Sequence, residues 1–66
     1  MDVVINGERK QVTPGATLLE LLKELELDPR AVVVEHNRKI VRRPVLSEVT
    51  VSPGDEIELV HFVGGG

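Results

Sequence analysis

The chain has 66 residues, 8 Lys and Arg against 11 Asp and Glu, a formal net charge of −3, one aromatic residue (Phe62) and no cysteine. That length allows one small domain, whose limited burial has to be met by short loops and a Val/Leu/Ile core. The composition excludes a disulfide scaffold, a thiolate nucleophile and thiolate zinc ligation; it argues against nucleic-acid partners, and no apolar run reaches the ~20 residues of a membrane span.

Met1 leads straight into a strand-like run, with no basic segment followed by an apolar stretch. The expectation is a soluble cytoplasmic protein, monomeric when alone, that meets other proteins. Asp2-Val3-Val4-Ile5 is β-branched and runs into Asn6-Gly7, a pair suited to a two-residue turn with positive φ at both positions. Glu8 to Val12 returns as the second strand of a hairpin, with Val3, Ile5 and Val12 pointing inward. Thr13-Pro14-Gly15-Ala16 breaks the pattern. Thr17-Leu18-Leu19-Glu20 matches a capping box, and Leu18, Leu21, Leu22 and Leu25 recur at helical spacing. Asp28-Pro29 is expected to stop that helix, because proline disfavours helical geometry in the residue before it.

Ala31 to Glu35 is too short for a helix and reads as a well-buried strand. His36-Asn37-Arg38 turns the chain into a short partner strand, Lys39-Ile40-Val41. Arg42 to Glu48 reads as an irregular crossing, with Pro44 opposing regular pairing. Ser52-Pro53-Gly54-Asp55 suits a type II turn. Glu56 to Val63 is the last strand, with Ile57, Leu59, His61 and Val63 on one face and Glu56, Glu58, Val60 and Phe62 on the other. One helix across a small mixed sheet is a two-layer α+β arrangement.

The chain then ends in Gly64-Gly65-Gly66. Glycine has no Cβ, so an extended glycine pair is thin enough to thread a channel that excludes other residues. At roughly 3.3 Å per extended residue, three glycines carry a terminal carboxylate about 10 Å beyond the last side chain. Such an end is a handle for another enzyme's active site; alone, it is equally a frayed terminus.

The whole set of residues resembles the small β-grasp, ubiquitin-like sulfur carrier proteins of bacterial thiamin biosynthesis. The resemblance rests on Val3-Val4-Ile5-Asn6-Gly7-Glu8, Thr17-Leu18-Leu19-Glu20-Leu21-Leu22, Val34-Glu35-His36-Asn37, Ile40-Val41-x-Arg43, Gly54-Asp55-Glu56-Ile57-Glu58-Leu59-Val60 and Val63-Gly64-Gly65-Gly66. It covers nearly the whole chain in order, although no single motif is specific. Two departures stand out. Arg38 occupies a turn position where the family often has glycine or a small polar residue, and Val45-Leu46 replaces a frequent aromatic residue.

The resemblance implies a single β-grasp domain over residues 1–66, with 1–63 as the folded body and 64–66 as a flexible tail. It implies that an E1-like enzyme uses ATP to adenylate the Gly66 carboxylate. A cysteine desulfurase or another sulfur donor converts that acyl adenylate to a thiocarboxylate, and thiazole synthase receives the sulfur. Gly66 is then the site of covalent attachment, and Gly64 and Gly65 are the tail. Val60 and Phe62, on the outer face by strand alternation, are expected with Val63 to face the partner; the alternative is a second small cluster or an edge contact. The protein binds no cofactor of its own and is a carrier, not an enzyme. Other readings share the tail: the small subunit of molybdopterin synthase, a ubiquitin-like modifier joined to lysine through Gly66, or an interaction module with an inert end.

The remaining polar residues read more plainly. His36 and His61 lack a paired carboxylate or a second ligand at metal spacing, so neither is expected to bind metal. Asp55, Glu56 and Glu58 form either a solvated strand face or an acidic patch for a basic groove. Arg42-Arg43 reads as a solvated corner or ion-pair donor. No nucleophile–base–orienter set is present among them.

Overall fold

The computed structural model describes residues 1–62; Val63, Gly64, Gly65 and Gly66 lie outside the described residues. Strand β1 (Asp2–Ile5) turns through Asn6-Gly7 into β2 (Glu8–Gln11). Both turn residues have positive φ, +50° and +81°, as a two-residue turn of this hand requires. Helix α1 (Leu18–Glu24) follows, then a 3₁₀ turn (Pro29–Ala31), β3 (Val32–His36) and β4 (Lys39–Val41). A second 3₁₀ segment (Arg43–Glu48) crosses back to β5 (Glu56–His61).

The five strands form one sheet in the order β2-β1-β5-β3-β4, with β5 parallel to β1 and antiparallel to β3. The helix and the second 3₁₀ segment cover one face. Val3 and Ile5 of β1, Val32 and Val34 of β3 and Ile57 of β5 meet Leu18, Leu21 and Leu22 of α1 and Leu46 of the 3₁₀ segment. The core is entirely aliphatic. Leu21 is fully buried, so truncating it to alanine would cost about 2–5 kcal/mol, much of the stability of so small a domain. This is the two-layer α+β, β-grasp architecture expected from the sequence, and the inward positions Val3, Ile5 and Val12 are all buried.

The helix begins as the capping box dictates: Glu20 N–H donates to Thr17 Oγ1 at 3.1 Å, and Thr17 N–H donates to Glu20 Oε1 at 2.9 Å. Its end departs from expectation. Asp28-Pro29 does not stop it; regular helix ends at Glu24, and Glu26 adopts a left-handed φ of +61°. Leu27 N–H then bonds to Leu22 O at 2.9 Å and Glu26 N–H to Lys23 O at 3.0 Å, a Schellman motif with glutamate where glycine is usual. The helix terminates because its last carbonyls are satisfied by the reversed chain. Asp28 instead caps the following 3₁₀ turn, accepting from Arg30 N–H.

The reading of residues 31–35 as a well-buried strand also needs correction. β3 buries only Val32 and Val34, while Val33 and Glu35 are half-buried on the opposite face. Successive side chains of a strand alternate, and the helical layer covers one side of this sheet.

Candidate functional site

The sequence-predicted site centres on the end of β5, and the geometry there follows from how that strand is gripped. Val4 N–H bonds to Asp55 O and Asn6 N–H to Ile57 O, each at 2.9 Å, so odd-numbered residues of β5 face β1. β1 pairs with β5 only as far as Ile5–Ile57. Asn6 extends the ladder by one step with its side chain. Leu59 N–H donates to Asn6 Oδ1 at 2.8 Å, and Asn6 Nδ2 donates to Leu59 O at 3.2 Å. On the other edge β3 continues further, with Val32 opposite His61 and Phe62 N–H bonded to Ala31 O at 2.9 Å. The last residues of β5 are therefore held from one side only.

Val60 and Phe62 lie where the alternation puts them, on the uncovered face, at 56% and 58% exposure. Val33 sits opposite Val60 in the register, which adds a third apolar residue to that end. Further back along the same face, Glu58 lies opposite Glu35, and Glu56 opposite Val4. The uncovered sheet face is thus apolar at the end from which the chain continues to residue 63 and acidic in its middle. Val63, Gly64, Gly65 and Gly66, the remaining predicted site residues, lie outside the described residues.

Asp55 does not belong to that acidic face, and His36 does not lack a carboxylate partner. His36 Nε2 donates to Asp55 Oδ2 at 2.6 Å, with both side chains largely buried. Asp55 also accepts from Ser52 N–H at 2.8 Å and from Asn37 Nδ2 at 3.2 Å. Burial works against its negative charge, but the bonds from His36, Ser52 and Asn37 outweigh burial and hold the carboxyl below its ordinary value. Asn37 completes the link: its N–H donates to Glu56 O at 2.8 Å, and its Oδ1 accepts from Glu56 N–H at 2.9 Å. These groups latch the β3–β4 turn to the start of β5. The nineteen-residue separation of His36 and Asp55 hid the pair from a linear reading, as the turn explanation of Asn6-Gly7 hid the second role of Asn6.

Among the described residues no group of three His, Cys, Asp or Glu side chains is placed to hold a metal ion. No helix of the described residues is long and apolar enough to cross a membrane. An exposed apolar end like that of the β5 sheet face is a type of surface that protein contacts use.

Comparison with known proteins bears on what that contact serves. The family model described as the ThiS family matches residues 3–66. The chain is 42% identical over 50 residues to the sulfur carrier protein ThiS of Bacillus subtilis, covering 76% of each. It is 44% identical over 66 residues to a thiazole synthase of Paramagnetospirillum magneticum; all of this chain aligns, with only 20% of that relative's length. The crystal structure of a thiamine biosynthesis protein (ThiS) from Geobacter metallireducens is similar throughout, at 32% identity, a TM-score of 0.86 and full coverage of both chains.

Proposed function

The chain belongs to the ThiS family, and from that premise we propose that it carries sulfur for thiamin biosynthesis on the carboxylate of Gly66. An E1-like partner adenylates this carboxylate with ATP, which turns a poor electrophile into one with a good leaving group. The outer sulfur of a cysteine desulfurase persulfide, or of another sulfur donor, attacks the acyl carbon and expels AMP; a thiol then cleaves the resulting acyl disulfide, itself ending in a disulfide, and leaves a thiocarboxylate. The sulfur stays covalently bound yet remains nucleophilic, and thiazole synthase accepts it.

In this reading residues 1–63 are the body and 64–66 the tail. Gly65 is the slender approach to the partner's active site, where the lack of a Cβ matters most. The body's part is to dock. Val60 and Phe62, with Val63 next in the sequence, supply an apolar contact at the end of β5, and Glu35, Glu56 and Glu58 supply a negative surface next to it. ATP belongs to the activating partner, the carrier performs no catalysis of its own, and the reactions are cytoplasmic. The observation that carries the proposal is the family match, which extends over residues 3–66 and so includes the three glycines. The match of this chain to part of a relative named thiazole synthase supports that enzyme as the acceptor.

The test is the intact mass of the protein after incubation with ATP, an E1-like activating enzyme, cysteine and a cysteine desulfurase. A gain matching one oxygen replaced by sulfur, localised to the C-terminal peptide, is expected. Gly65→Val should abolish the gain while leaving thermal unfolding unchanged. No gain, with the same enzymes active on another carrier, or normal turnover of Gly65→Val, would overturn the proposal.

A further inference from the structure

Half of the chain's cations fall within six consecutive residues. Of the 8 Lys and Arg, four are Arg38, Lys39, Arg42 and Arg43, and no acid interrupts them. All four are exposed. Arg38 leans toward Glu56 at 4.0 Å and Arg43 lies within electrostatic reach of Asp28, which leaves Lys39 and Arg42 beside β4. Such a concentration in a chain of net charge −3 calls for a physical reason.

β4 is the terminal strand of the sheet, so one of its edges has no neighbouring strand among the described residues. The register identifies what that edge offers. Asn37 N–H bonds to Glu56 O and Phe62 N–H to Ala31 O, so odd-numbered positions from Ala31 to Asn37 turn their backbone groups toward β5. Val34 and His36 turn theirs toward Val41 and Lys39 of β4. Ile40, opposite Glu35, therefore directs both its N–H and its C=O outward from the sheet. Its side chain is 69% exposed. Beside this edge lies a cavity of about 360 Å³, lined by Ile40, Val41, Val45 and Val49 together with His36, Lys39 and Arg42. Val45 is itself 41% exposed.

An open backbone edge, an adjoining apolar groove and two flanking cations together specify an occupant. We propose that the β4 edge receives an extended segment of a partner protein, apolar at alternate positions and flanked by Asp or Glu. The segment adds as a sixth strand through the N–H and C=O of Ile40. Its alternate side chains enter the groove over Val41, Val45 and Val49, and its carboxylates meet Lys39 and Arg42. A second copy of this chain is a poor occupant, because edge-to-edge pairing would set these cations against their own duplicates. β3 lies between β4 and β5, so the segment leaves β5 and the chain beyond it uncovered. The site is independent of the docking at Val60 and Phe62.

A blocked peptide with a central Val-Thr-Val-Thr-Val run and aspartates at both ends is the probe, titrated into the labelled protein by amide NMR. Shifts concentrated at residues 39–45, slowed exchange of the Ile40 amide and weakening with added salt are expected. Arg42→Glu should lower the affinity roughly tenfold. Ile40→Pro should abolish binding while leaving the remote amide spectrum intact, since an edge strand tolerates proline. Equal binding of the same peptide with lysines replacing aspartates would overturn the proposal. So would shifts centred on β2 or β5, no shifts at about 1 mM peptide, or concentration-dependent shifts at Ile40 without peptide, which would make a second copy the occupant.

Discussion

Asn6 offers a small perturbation that reports on how β5 is held. Its side-chain amide makes two bonds to Leu59, one as acceptor at 2.8 Å and one as donor at 3.2 Å. Backbone pairing from β1 has already ended at Ile5, so removing the amide bares the β1 side of β5 from Leu59 onward. Asn6→Gly removes only that amide, because glycine accepts the φ of +50° that the turn demands. Glycine's greater freedom in the unfolded chain and its easier left-handed geometry act in opposite directions and roughly cancel. Each lost bond is worth about 1 kcal/mol, and water reaches both positions, so the variant should lose about 1–2 kcal/mol. For a domain of this size that is a fall in Tm of roughly 4–15 °C. Asn6→Asp keeps the acceptor and loses the donor, so its Tm should lie between those of the parent and the glycine variant. Thermal unfolding gives the energies, and amide exchange at Leu59 and His61 gives the location. A Tm for Asn6→Gly within about 2 °C of the parent, or unchanged protection of the Leu59 amide, would refute the view that a side chain completes this ladder.

Three other expectations rest on separate features. Glu26 and Arg38 hold left-handed φ values of +61° and +70° that cost non-glycine residues about 1–2 kcal/mol. Against glycine's own entropic cost, Glu26→Gly and Arg38→Gly should each raise stability by about 0.5–1 kcal/mol in chemical unfolding, and a loss in either would contradict the assignment. Asp55 has a folded pKa below its ordinary 3.8, so its contribution is present above that value and is lost as pH falls through the folded value. Asp55→Asn should therefore cost about 1.5–3 kcal/mol near neutral pH, with the deficit shrinking below about pH 4; a deficit independent of pH would dismiss the charge. Phe62→Ala should alter stability by less than about 0.5 kcal/mol yet weaken binding to the E1-like partner roughly tenfold in calorimetry, and unchanged affinity would remove Phe62 from the interface.

Much of the fold was legible because its signals are local. Asn6-Gly7 announces the hairpin, Thr17 to Glu20 announces the helix start, and Ser52-Pro53-Gly54-Asp55 announces a turn that closes with Asp55 N–H on Ser52 O at 3.1 Å. What stayed hidden depends on residues far apart in the chain. His36 and Asp55 meet because β3 and β5 are neighbours in space, and Asn6 reaches Leu59 across 53 positions. The helix end escaped notice because its motif is a backbone conformation, and Glu26 gives no compositional hint of it. Val33 and Glu35 could have been placed on the uncovered face from alternation alone, once Val32 and Val34 were assigned to the core. The exposure of Val60 and Phe62 was readable for that same reason. The docking role of that face rests on the family relation together with the geometry.

The division of labour along β5 gives the fold its physical logic. The first half of the strand is gripped on both edges, by Val4 and Asn6 from β1 and by β3 on the other side, and Ile57 is fully buried. The latch of His36, Asn37 and Asp55 fixes where the strand begins. Ile57 joins the aliphatic core there, and Leu59 packs against it part-buried. Past that residue the strand keeps one neighbour and turns Val60 and Phe62 outward, so partner contacts at this end need not disturb the aliphatic core. In the proposed role the carrier visits successive enzymes and must present the same body to each while its terminus reacts. Holding β5 firmly up to Leu59 and lightly beyond it meets both demands with a single strand.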